Sequence, residues 1–152
     1  MRALLQRATR AEVRVEGAVV GRIDGGLVIL LGVGPGDTEA VADDLARRIA
    51  DLRIFRDDAG RTNRSLLEMG GSALVVSQFT LYADTRRGRR PGFTTAAPAD
   101  LAERLWRRFM AALAAAGVTV AAGRFRAEMA VELVNDGPFT IWLDSADRPT
   151  GL

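Results

Sequence analysis

The sequence predicts a mixed α/β domain in which one sheet packs on another and helices cover one outer side. Short segments typical of strands outnumber helical ones, and only two segments have helical periodicity. Two helices are too few to cover both faces of a large sheet. The 152 residues contain no linker or repeat, and 48% of them are hydrophobic, so we expect one domain with a substantial core.

Several strands and one helix are predicted in the first part of the chain. The predicted strands are residues 3–7, 11–15, 19–23, 27–33 and 53–56. The fourth of them is continuously apolar, which indicates a buried strand. Asp37 is predicted to cap a helix that extends to about Leu52, and residues 57–60 are predicted to form a turn.

Three strands, a loop and a second helix are predicted in the rest of the chain. The predicted strands are residues 73–82, 129–134 and 139–143. Residues 84–98 form a loop rich in Arg, Gly and Pro. Asp100 is predicted to cap a helix that extends to Ala116 and is ended by Gly117. The polar residues 145–152 are predicted to form a flexible tail.

The residue types that are absent exclude several classes of chemistry. The chain has no Cys, His or Lys, and all 21 basic residues are Arg. These absences exclude a disulfide framework, a thiol nucleophile, a Ser-His-Asp triad and a Schiff-base lysine, and a zinc site is not expected. We predict a protein without metal or cofactor that uses hydroxyls, carboxylates, amides, Arg, the backbone or the substrate itself.

Charge and hydropathy indicate where the protein works. There is no uncharged apolar stretch of about 18 residues, the length that a membrane span needs. Charged residues interrupt the apolar runs near the start, unlike a signal peptide. The net charge of +2 is too low for a protein that coats DNA. We expect a soluble cytoplasmic protein without a membrane or DNA partner.

The glycine-rich residues 32–37 have the wrong chemistry for binding a dinucleotide. They follow a predicted strand and precede a helix, as such turns do. However, Asp37 stands in place of the third glycine and Pro35 removes an amide. A carboxylate at the start of a helix repels phosphate, so we interpret this segment as a turn followed by a helix cap.

Residues 77–81 alternate between polar and apolar side chains at the period of a strand. This pattern alone is typical of a solvated strand. The functional alternative uses the Thr80 hydroxyl together with local backbone amides that form an oxyanion hole. The pattern leaves both interpretations open.

Asp136-Gly137, between two apolar segments, is typical of a hairpin turn. Pro138 complicates this interpretation, because proline cannot donate to a strand ladder. A cis Gly137–Pro138 bond would turn two carbonyl groups the same way, which suits an ammonium group. A plain turn and a binding turn both remain open.

The densest positive patch of the chain lies in the loop after the predicted strand 73–82. It contains Arg86, Arg87, Arg89 and Arg90, and Tyr82 and Phe93 flank it. Contact with an RNA backbone is one interpretation, with the aromatic rings stacking on bases. A solvated loop explains the charge equally well.

Together these motifs resemble the bacterial-type D-aminoacyl-tRNA deacylase family along residues 1–144. The family's SQFTL signature stands at residues 77–81 and its Asn-x-Gly-Pro-x-Thr signature at residues 135–140. Residues 5–7, 52–55 and 87–91 support the resemblance, as do residues 123–125 with Met129. One departure is Phe139, where the family usually has Val, and this larger ring bears on the size of substrate that the pocket accepts.

The resemblance implies a compact three-layer β/β/α domain, residues 1–144, that works as a homodimer. It implies hydrolysis of the ester bond of D-aminoacyl-tRNA, a chiral proofreading reaction, with glycyl-tRNA mischarged on tRNA(Ala) as a side substrate. A cis Gly137–Pro138 turn would enter the partner subunit's site, hold the α-amino group and reject L side chains.

The resemblance also implies roles for individual residues. The catalytic set would be Ser77, Gln78, Phe79 and Thr80. Backbone amides near Phe79 would stabilise the oxyanion, and the 2′-hydroxyl of the terminal adenosine would assist the attack in place of a Thr80 nucleophile. Substrate binding would involve Arg7, Met129, Asn135, Gly137, Pro138, Phe139 and Thr140, with Arg7 bracing the turn. The four loop arginines, Arg86, Arg87, Arg89 and Arg90, would bind tRNA.

Two other functions make different predictions. A non-catalytic tRNA-binding dimer would bind tRNA with a strong salt dependence and would leave the ester intact. An esterase that acts on small molecules through Thr80 would lose turnover in Thr80→Ala and would not need tRNA.

Overall fold

The computed structural model describes residues 1–147, which form one curled sheet, a pair of short strands and three helices. The strands are β1 (Arg2–Val15), β2 (Ala18–Ile23), β3 (Gly26–Gly32), β4 (Phe55–Arg56), β5 (Thr62–Arg64), β6 (Ser72–Ser77), β7 (Thr119–Ala122) and β8 (Ala130–Asp144). The helices are α1 (Glu39–Asp51), a 3₁₀ helix (Phe79–Tyr82) and α2 (Ala99–Ala115). The predicted mixed α/β single domain is therefore confirmed.

β1 is the central strand of the sheet. One of its edges pairs antiparallel with β8 from Arg2 to Arg14. Its other edge pairs antiparallel with β3 in the first half and with β2 in the second half. β3 continues into parallel pairs with β6 and then β7. At the two ends of this order, Gly21 of β2 lies directly against the backbone of Ala122 in β7, so the sheet is nearly closed.

Two hydrophobic cores lie on the two faces of β3. Leu27 and Ile29 face α1 and α2 in the larger core. Val28 points the opposite way and packs with Val13 and Ile23 in a smaller core that the curled sheet encloses. All five side chains are fully or almost fully buried, and each contributes about 1.5–3 kcal/mol of hydrophobic free energy. The helices, the central strands and the far wall of the sheet thus form successive layers.

The predicted helix caps were wrong, although the helices themselves were placed well. α1 begins after Thr38, whose hydroxyl accepts a hydrogen bond of 3.3 Å from the amide of Val41. Asp37 instead accepts from the amide of Gly34 at 2.7 Å and from the amine of Met1 at 2.6 Å. In α2 the cap is Pro98, because a proline can precede a helix without losing an intrahelical bond, and Asp100 lies in the first turn.

Several strand predictions also differ from the structure. The strands predicted at residues 3–7 and 11–15 are one continuous strand, β1. The strand predicted at residues 73–82 ends at Ser77, where a 3₁₀ helix follows. β5 and β7 were not predicted, since both are short and mostly polar or alanine-rich.

The C-terminal residues lie only partly within the described chain. The Ser145 amide donates a 2.8 Å hydrogen bond to the carbonyl of Met1. The predicted flexible tail, residues 145–152, lies outside the described residues from position 148 onward. Within residues 1–147 no helix has the length and apolar character needed to cross a membrane.

Candidate active site

The first motif segment, residues 77–82, lies on the end of β3. The amide of Gln78 donates to the carbonyl of Leu31 at 2.8 Å. Gly32 lets the segment approach, because a Cβ there would lie 3.0 Å from the Gln78 carbonyl oxygen and 3.2 Å from the Leu81 Cβ. The solvated strand predicted from alternation is therefore a tight turn into the 3₁₀ helix.

Two amides at the start of this 3₁₀ helix are available to a ligand. Within the described chain the amides of Phe79 and Thr80 have no hydrogen-bond acceptor, as is usual at the start of a helix. The Thr80 hydroxyl accepts a hydrogen bond from the Gln78 side-chain amide. The two amides are thus candidate oxyanion donors, whereas the Thr80 hydroxyl has a partner already.

Arg2 and Tyr82 fix the far end of the same helix. The Arg2 guanidinium donates to the Leu81 carbonyl at 2.9 Å and lies 4.4 Å from the centre of the Tyr82 ring. It also binds Asp144 at 3.0 Å. Burial, together with the carboxylates of Asp37 and Asp144, raises the pKa of the Tyr82 hydroxyl above its usual value, so Tyr82 stays neutral.

A cavity of about 500 Å³ opens beside Gln78 and Phe79. Ser77, Gln78 and Phe79 form one wall. The remaining lining residues are mostly aromatic or small and come from β3, the loop before α2, α2 itself and the segment before β8: Leu31, Val33, Phe93, Ala96, Ala97, Ala99, Ala102, Trp106, Phe125, Arg126, Ala127 and Met129. An apolar cavity with aromatic walls has room for a flat ligand such as a nucleobase.

Phe79 and Phe93 form the exposed rim of this cavity. Their rings meet edge to face with centroids 5.0 Å apart, and 57% of Phe79 is exposed. Opposite them, the rings of Trp106 and Phe125 pack 5.8 Å apart. The sequence did not indicate Trp106 as a site residue, because the apolar face of a helix is indistinguishable from a core face. Phe125 lies in the segment between β7 and β8 and is distinguished in the sequence only as part of the resemblance.

The second motif segment, residues 135–140, forms a bulge in β8 rather than the predicted hairpin. Asn135 pairs with Ala8 and Thr140 pairs with Gln6, so the four residues between them face only Arg7. Both halves of β8 pair with β1 in the same direction, and the strands predicted at 129–134 and 139–143 are therefore one strand. Asp136-Gly137 lies in a bulge instead of a hairpin turn. Both structures need a residue such as glycine that accepts a positive φ.

The predicted cis bond is absent from the structure. Among residues 1–147 every peptide bond, including Gly137–Pro138, is trans. The bulge explains why a trans bond fits. Pro138 lies where pairing with β1 is interrupted, so its missing N–H leaves no ladder bond unmade, and Gly137 makes the turn with φ +118°.

Arg7 contacts this bulge from within the protein. Only 3% of Arg7 is exposed. Its guanidinium donates to the Ile54 carbonyl at 2.5 Å and forms an ion pair with Asp136 at 3.0 Å. A Cβ on Gly137 would lie 2.6 Å from Nη2 of Arg7, so a larger residue there would displace the guanidinium or the turn.

The other residues of the bulge divide into anchored and exposed groups. The Asn135 side-chain amide donates to the carbonyls of Arg7 at 2.9 Å and Phe139 at 3.2 Å, which closes the base. The Phe139 ring lies 4.7 Å from the Arg7 guanidinium, packs on the larger core and does not line the cavity. Gly137 and Pro138 are exposed at the tip.

The two motif segments do not meet within one chain. Arg7, opposite the bulge, pairs with Leu27 at the start of β3, whereas Gln78 binds Leu31 near its end. Four residues of strand separate these points by about 13 Å. Of the predicted substrate-binding residues, Met129 alone lines the cavity together with Gln78 and Phe79.

The arginine-rich loop lies next to the first motif segment. Asp84 and Gly92 pair across its base, and the Thr95 hydroxyl donates to the Tyr82 carbonyl at 2.8 Å. Arg86 binds Asp84 with two contacts of 2.8 Å, and this ion pair holds the pKa of the Asp84 carboxyl well below its usual range. Arg86 therefore already has a counterion within its own loop.

The other three loop arginines are better placed for an external anion. Arg87, Arg89 and Arg90 are exposed and have no ion-pair partner among residues 1–147. Arg107 and Arg108 of α2, by contrast, are paired with Glu103 and Asp43.

Among residues 1–147 no group of three or more Asp or Glu side chains is arranged to hold a metal ion.

Comparison with known proteins gives a consistent result. A family model described as D-Tyr-tRNA(Tyr) deacylase matches residues 4–144. A D-aminoacyl-tRNA deacylase of Dinoroseobacter shibae is 63% identical over 144 residues, which are 95% of this chain and 99% of that protein. A D-aminoacyl-tRNA deacylase of Roseiflexus castenholzii is 62% identical over 146 residues, 96% of this chain and 93% of that protein.

Two solved structures have a similar fold. One, named c-Myc DNA Unwinding Element Binding Protein, aligns with a TM-score of 0.90 and 35% identity over 99% of this chain and all of that chain. The other, described as a probable eukaryotic D-amino acid tRNA deacylase, aligns with a TM-score of 0.82 over 93% of this chain and 97% of that chain. At 18% identity the second match concerns the fold alone.

Proposed function

This chain belongs to the D-Tyr-tRNA(Tyr) deacylase family, and we propose that it hydrolyses the ester bond of D-aminoacyl-tRNA, releasing the D-amino acid and tRNA. One structural observation supports this activity in addition to membership of the family. An aromatic cavity of about 500 Å³ opens beside two unpaired backbone amides at the SQFTL signature. A nucleobase fits within such a cavity, which leaves the ester beside the amides.

The reaction needs only modest help from the protein. The terminal adenosine places its base in the cavity and its ester carbonyl at the amides of Phe79 and Thr80. Water attacks the carbonyl carbon, and the two amides stabilise the oxyanion. The adjacent 2′-hydroxyl passes the proton to the departing 3′-oxygen. The Gln78 side chain positions the ribose, and Thr80 supports Gln78 through their hydrogen bond.

Chiral selection is assigned to the exposed turn of a second subunit. The exposed backbone of Gly137 and Pro138 from the partner lines the amino-acid pocket, so that an L side chain meets backbone and a D side chain points outward. Glycine has no side chain to reject, so glycyl-tRNA mischarged on tRNA(Ala) is cleaved as well. Arg7 and Asn135 hold this turn in place from below.

The arrangement of β1, β3 and β8 supports a homodimer. Leu4 pairs with Leu30 on one side and with Trp142 on the other, and all three point away from the helices. Trp142 is 46% exposed, which is unusual for such a large apolar ring. This face lies between the two motif segments. Two copies related by a twofold axis through it bring each turn toward the other copy's Phe79.

The remaining expectations follow from this activity. The deacylase domain is residues 1–144, and the protein works in the cytoplasm, where tRNA is charged. Arg87, Arg89 and Arg90 bind the tRNA backbone, since the loop that carries them also contributes Phe93 to the rim of the cavity.

The first experiment compares D-Tyr-tRNA and L-Tyr-tRNA at low enzyme concentration, with glycyl-tRNA(Ala) as a third substrate. We expect D-Tyr-tRNA and glycyl-tRNA to be cleaved and L-Tyr-tRNA to be spared. Salt-sensitive tRNA binding without cleavage of any ester would favour the non-catalytic tRNA-binding dimer. Cleavage of small D-esters at the same rate, abolished by Thr80→Ala, would favour the esterase.

A second experiment tests whether each site is built from two subunits. Gln78→Ala and Gly137→Ala are each expected to be nearly inactive. When equal amounts of the two variants are mixed and their subunits exchange, about half of the dimers are heterodimers. Each heterodimer contains one intact site of two, so about a quarter of the wild-type activity returns. If both segments act within one chain, the mixture stays inactive.

A further inference from the structure

Arg126 brings a positive charge to a cavity that is otherwise uncharged. Of the residues that line the cavity beside Gln78 within the described chain, Arg126 alone has a charged side chain. Its side chain is exposed and forms no ion pair or hydrogen bond with residues 1–147. A cation without a counterion at the edge of an apolar cavity is suited to an anionic part of a ligand.

The backbone at Arg126 adds a second observation. The Ala127 amide donates to the Arg124 carbonyl at 3.2 Å, so residues 124–127 form a turn. Arg126 is the third residue of this turn and has φ +61°, a conformation in which glycine or asparagine is favoured. A long charged side chain at such a position is not explained by turn chemistry. The turn directs it toward the cavity, between Phe125 and Ala127.

We propose that Arg126 binds the phosphate on the 5′-oxygen of the terminal nucleotide while the base of that nucleotide occupies the cavity. This inference rests on the proposed function, since it places that nucleotide in the same cavity. A guanidinium can bind two phosphate oxygens at once, which fixes orientation as well as position. Arg126 therefore sets how far the base enters and where the ester carbonyl lies relative to Phe79.

The test compares ligands that differ only in the phosphate. Binding of adenosine and of adenosine 5′-monophosphate is measured by calorimetry for the full-length protein and for Arg126→Asn, which suits the positive φ. We expect Arg126→Asn to bind the monophosphate about tenfold more weakly than the wild type does, because one charge-assisted contact is lost. Its affinity for adenosine should stay within about twofold of the wild-type value. Arg126→Lys is expected to recover part of the difference.

Arg124→Asn is the matched control, because Arg124 is an exposed arginine of the same turn that lines a neighbouring cavity instead. It should bind both ligands as the wild type does. Equal weakening of adenosine and the monophosphate in Arg126→Asn would overturn the proposal, as would monophosphate binding that the variant leaves unchanged.

Kinetics separate this proposal from the proposed function. The 3′-D-tyrosyl esters of adenosine and of adenosine 5′-monophosphate are compared as substrates. Arg126→Asn should raise KM about tenfold for the phosphorylated ester alone. If the wild type cleaves neither ester nor D-Tyr-tRNA, the proposed function fails, and the calorimetric comparison still decides whether Arg126 binds phosphate.

Discussion

The two motif segments are supported by the chain in different ways. Residues 77–82 rest on the end of β3, are held by Arg2 and Tyr82, and form one wall of a cavity whose other walls belong to the same chain. Residues 135–140 are anchored only at their base, by Arg7 and Asn135, and Gly137 and Pro138 at the tip are exposed.

This difference indicates which part of the site is complete in one subunit. The cavity beside Gln78 is lined by residues of one chain. The turn assigned to chiral selection has a rigid base and nothing of its own chain to act on. Substitutions in the two segments should therefore have different consequences for cleavage, for discrimination between D and L substrates, and for stability.

The largest effect is expected from Gly137→Ala. The new Cβ would lie 2.6 Å from Nη2 of Arg7 at a φ of +118°, so the turn or the Arg7 guanidinium that braces it must move. A displacement of about 1 Å lowers the rate of D-Tyr-tRNA hydrolysis about 100-fold, and discrimination against L-Tyr-tRNA narrows. Initial rates on both substrates measure this. Gly36→Ala is the control, since its Cβ would meet nothing within 4 Å; equal losses in both variants would contradict the assignment.

Arg7→Met should have the next largest effect. It keeps an unbranched apolar stem but removes the guanidinium and its bonds to Ile54 and Asp136. We expect a loss of about 2 kcal/mol in the free energy of unfolding and about a 30-fold loss of D-Tyr-tRNA cleavage, because the turn loses its support. Urea denaturation and initial rates provide the measurements. A destabilised variant with normal discrimination would show that Arg7 serves the fold alone.

Arg2→Ala tests the support of the first segment. Without the bond to the Leu81 carbonyl and the contact with Tyr82, the 3₁₀ helix is less firmly placed. The kcat for D-Tyr-tRNA should fall about tenfold, while selectivity between D and L is unchanged. Asp144→Asn is the control, since it removes the ion pair and leaves the Leu81 contact. A change in selectivity would mean that the two segments are not independent.

Thr80→Ala should have only a small effect. Its hydroxyl supports the Gln78 side chain, while the backbone amide of residue 80 is retained. We expect a decrease of about threefold to fivefold in the rate of D-Tyr-tRNA cleavage. Single-turnover rates check this, and abolished turnover would mean that the hydroxyl is the nucleophile.

The smallest effect on activity is expected from Phe139→Val. The Phe139 ring faces Arg7 and the larger core, outside the cavity. Stability should fall by about 1 kcal/mol from the lost ring contacts, while relative rates on small and large D-aminoacyl-tRNAs stay the same. Thermal unfolding and a substrate panel measure both. A shift in preference toward larger side chains would place the ring in the amino-acid pocket.

Sequence patterns predicted the elements that depend on local periodicity. α1, α2 and the buried β3 were placed within a few residues, because each has a continuous apolar face or run. The 3₁₀ helix at Phe79 was not predicted, since alternation in residues 77–81 is a strand pattern until Gly32 is known to lie beneath it. Likewise, Asp136-Gly137 specifies a tight turn but not which strands flank it.

The composition of the site was predictable only in part. Ser77, Gln78, Phe79 and Met129 line the cavity and were identified through the resemblance. No sequence pattern joins Trp106 and Phe125 to them, because that contact depends on how α2 packs against the strands. Arg126 was hidden for a similar reason: its position at the cavity follows from the turn at residues 124–127.

The position of β1 between β3 and β8 determines the order in which the chain can fold. One edge of β1 is paired as soon as β3 has been synthesised, but the other edge stays open until residues 130–144 have left the ribosome. A pairing over such a long sequence separation slows folding, and an open strand edge invites pairing with other chains. During synthesis the growing protein is therefore most prone to aggregate in the interval before β8 pairs with β1. Slow translation of the codons for the last strand lengthens that interval.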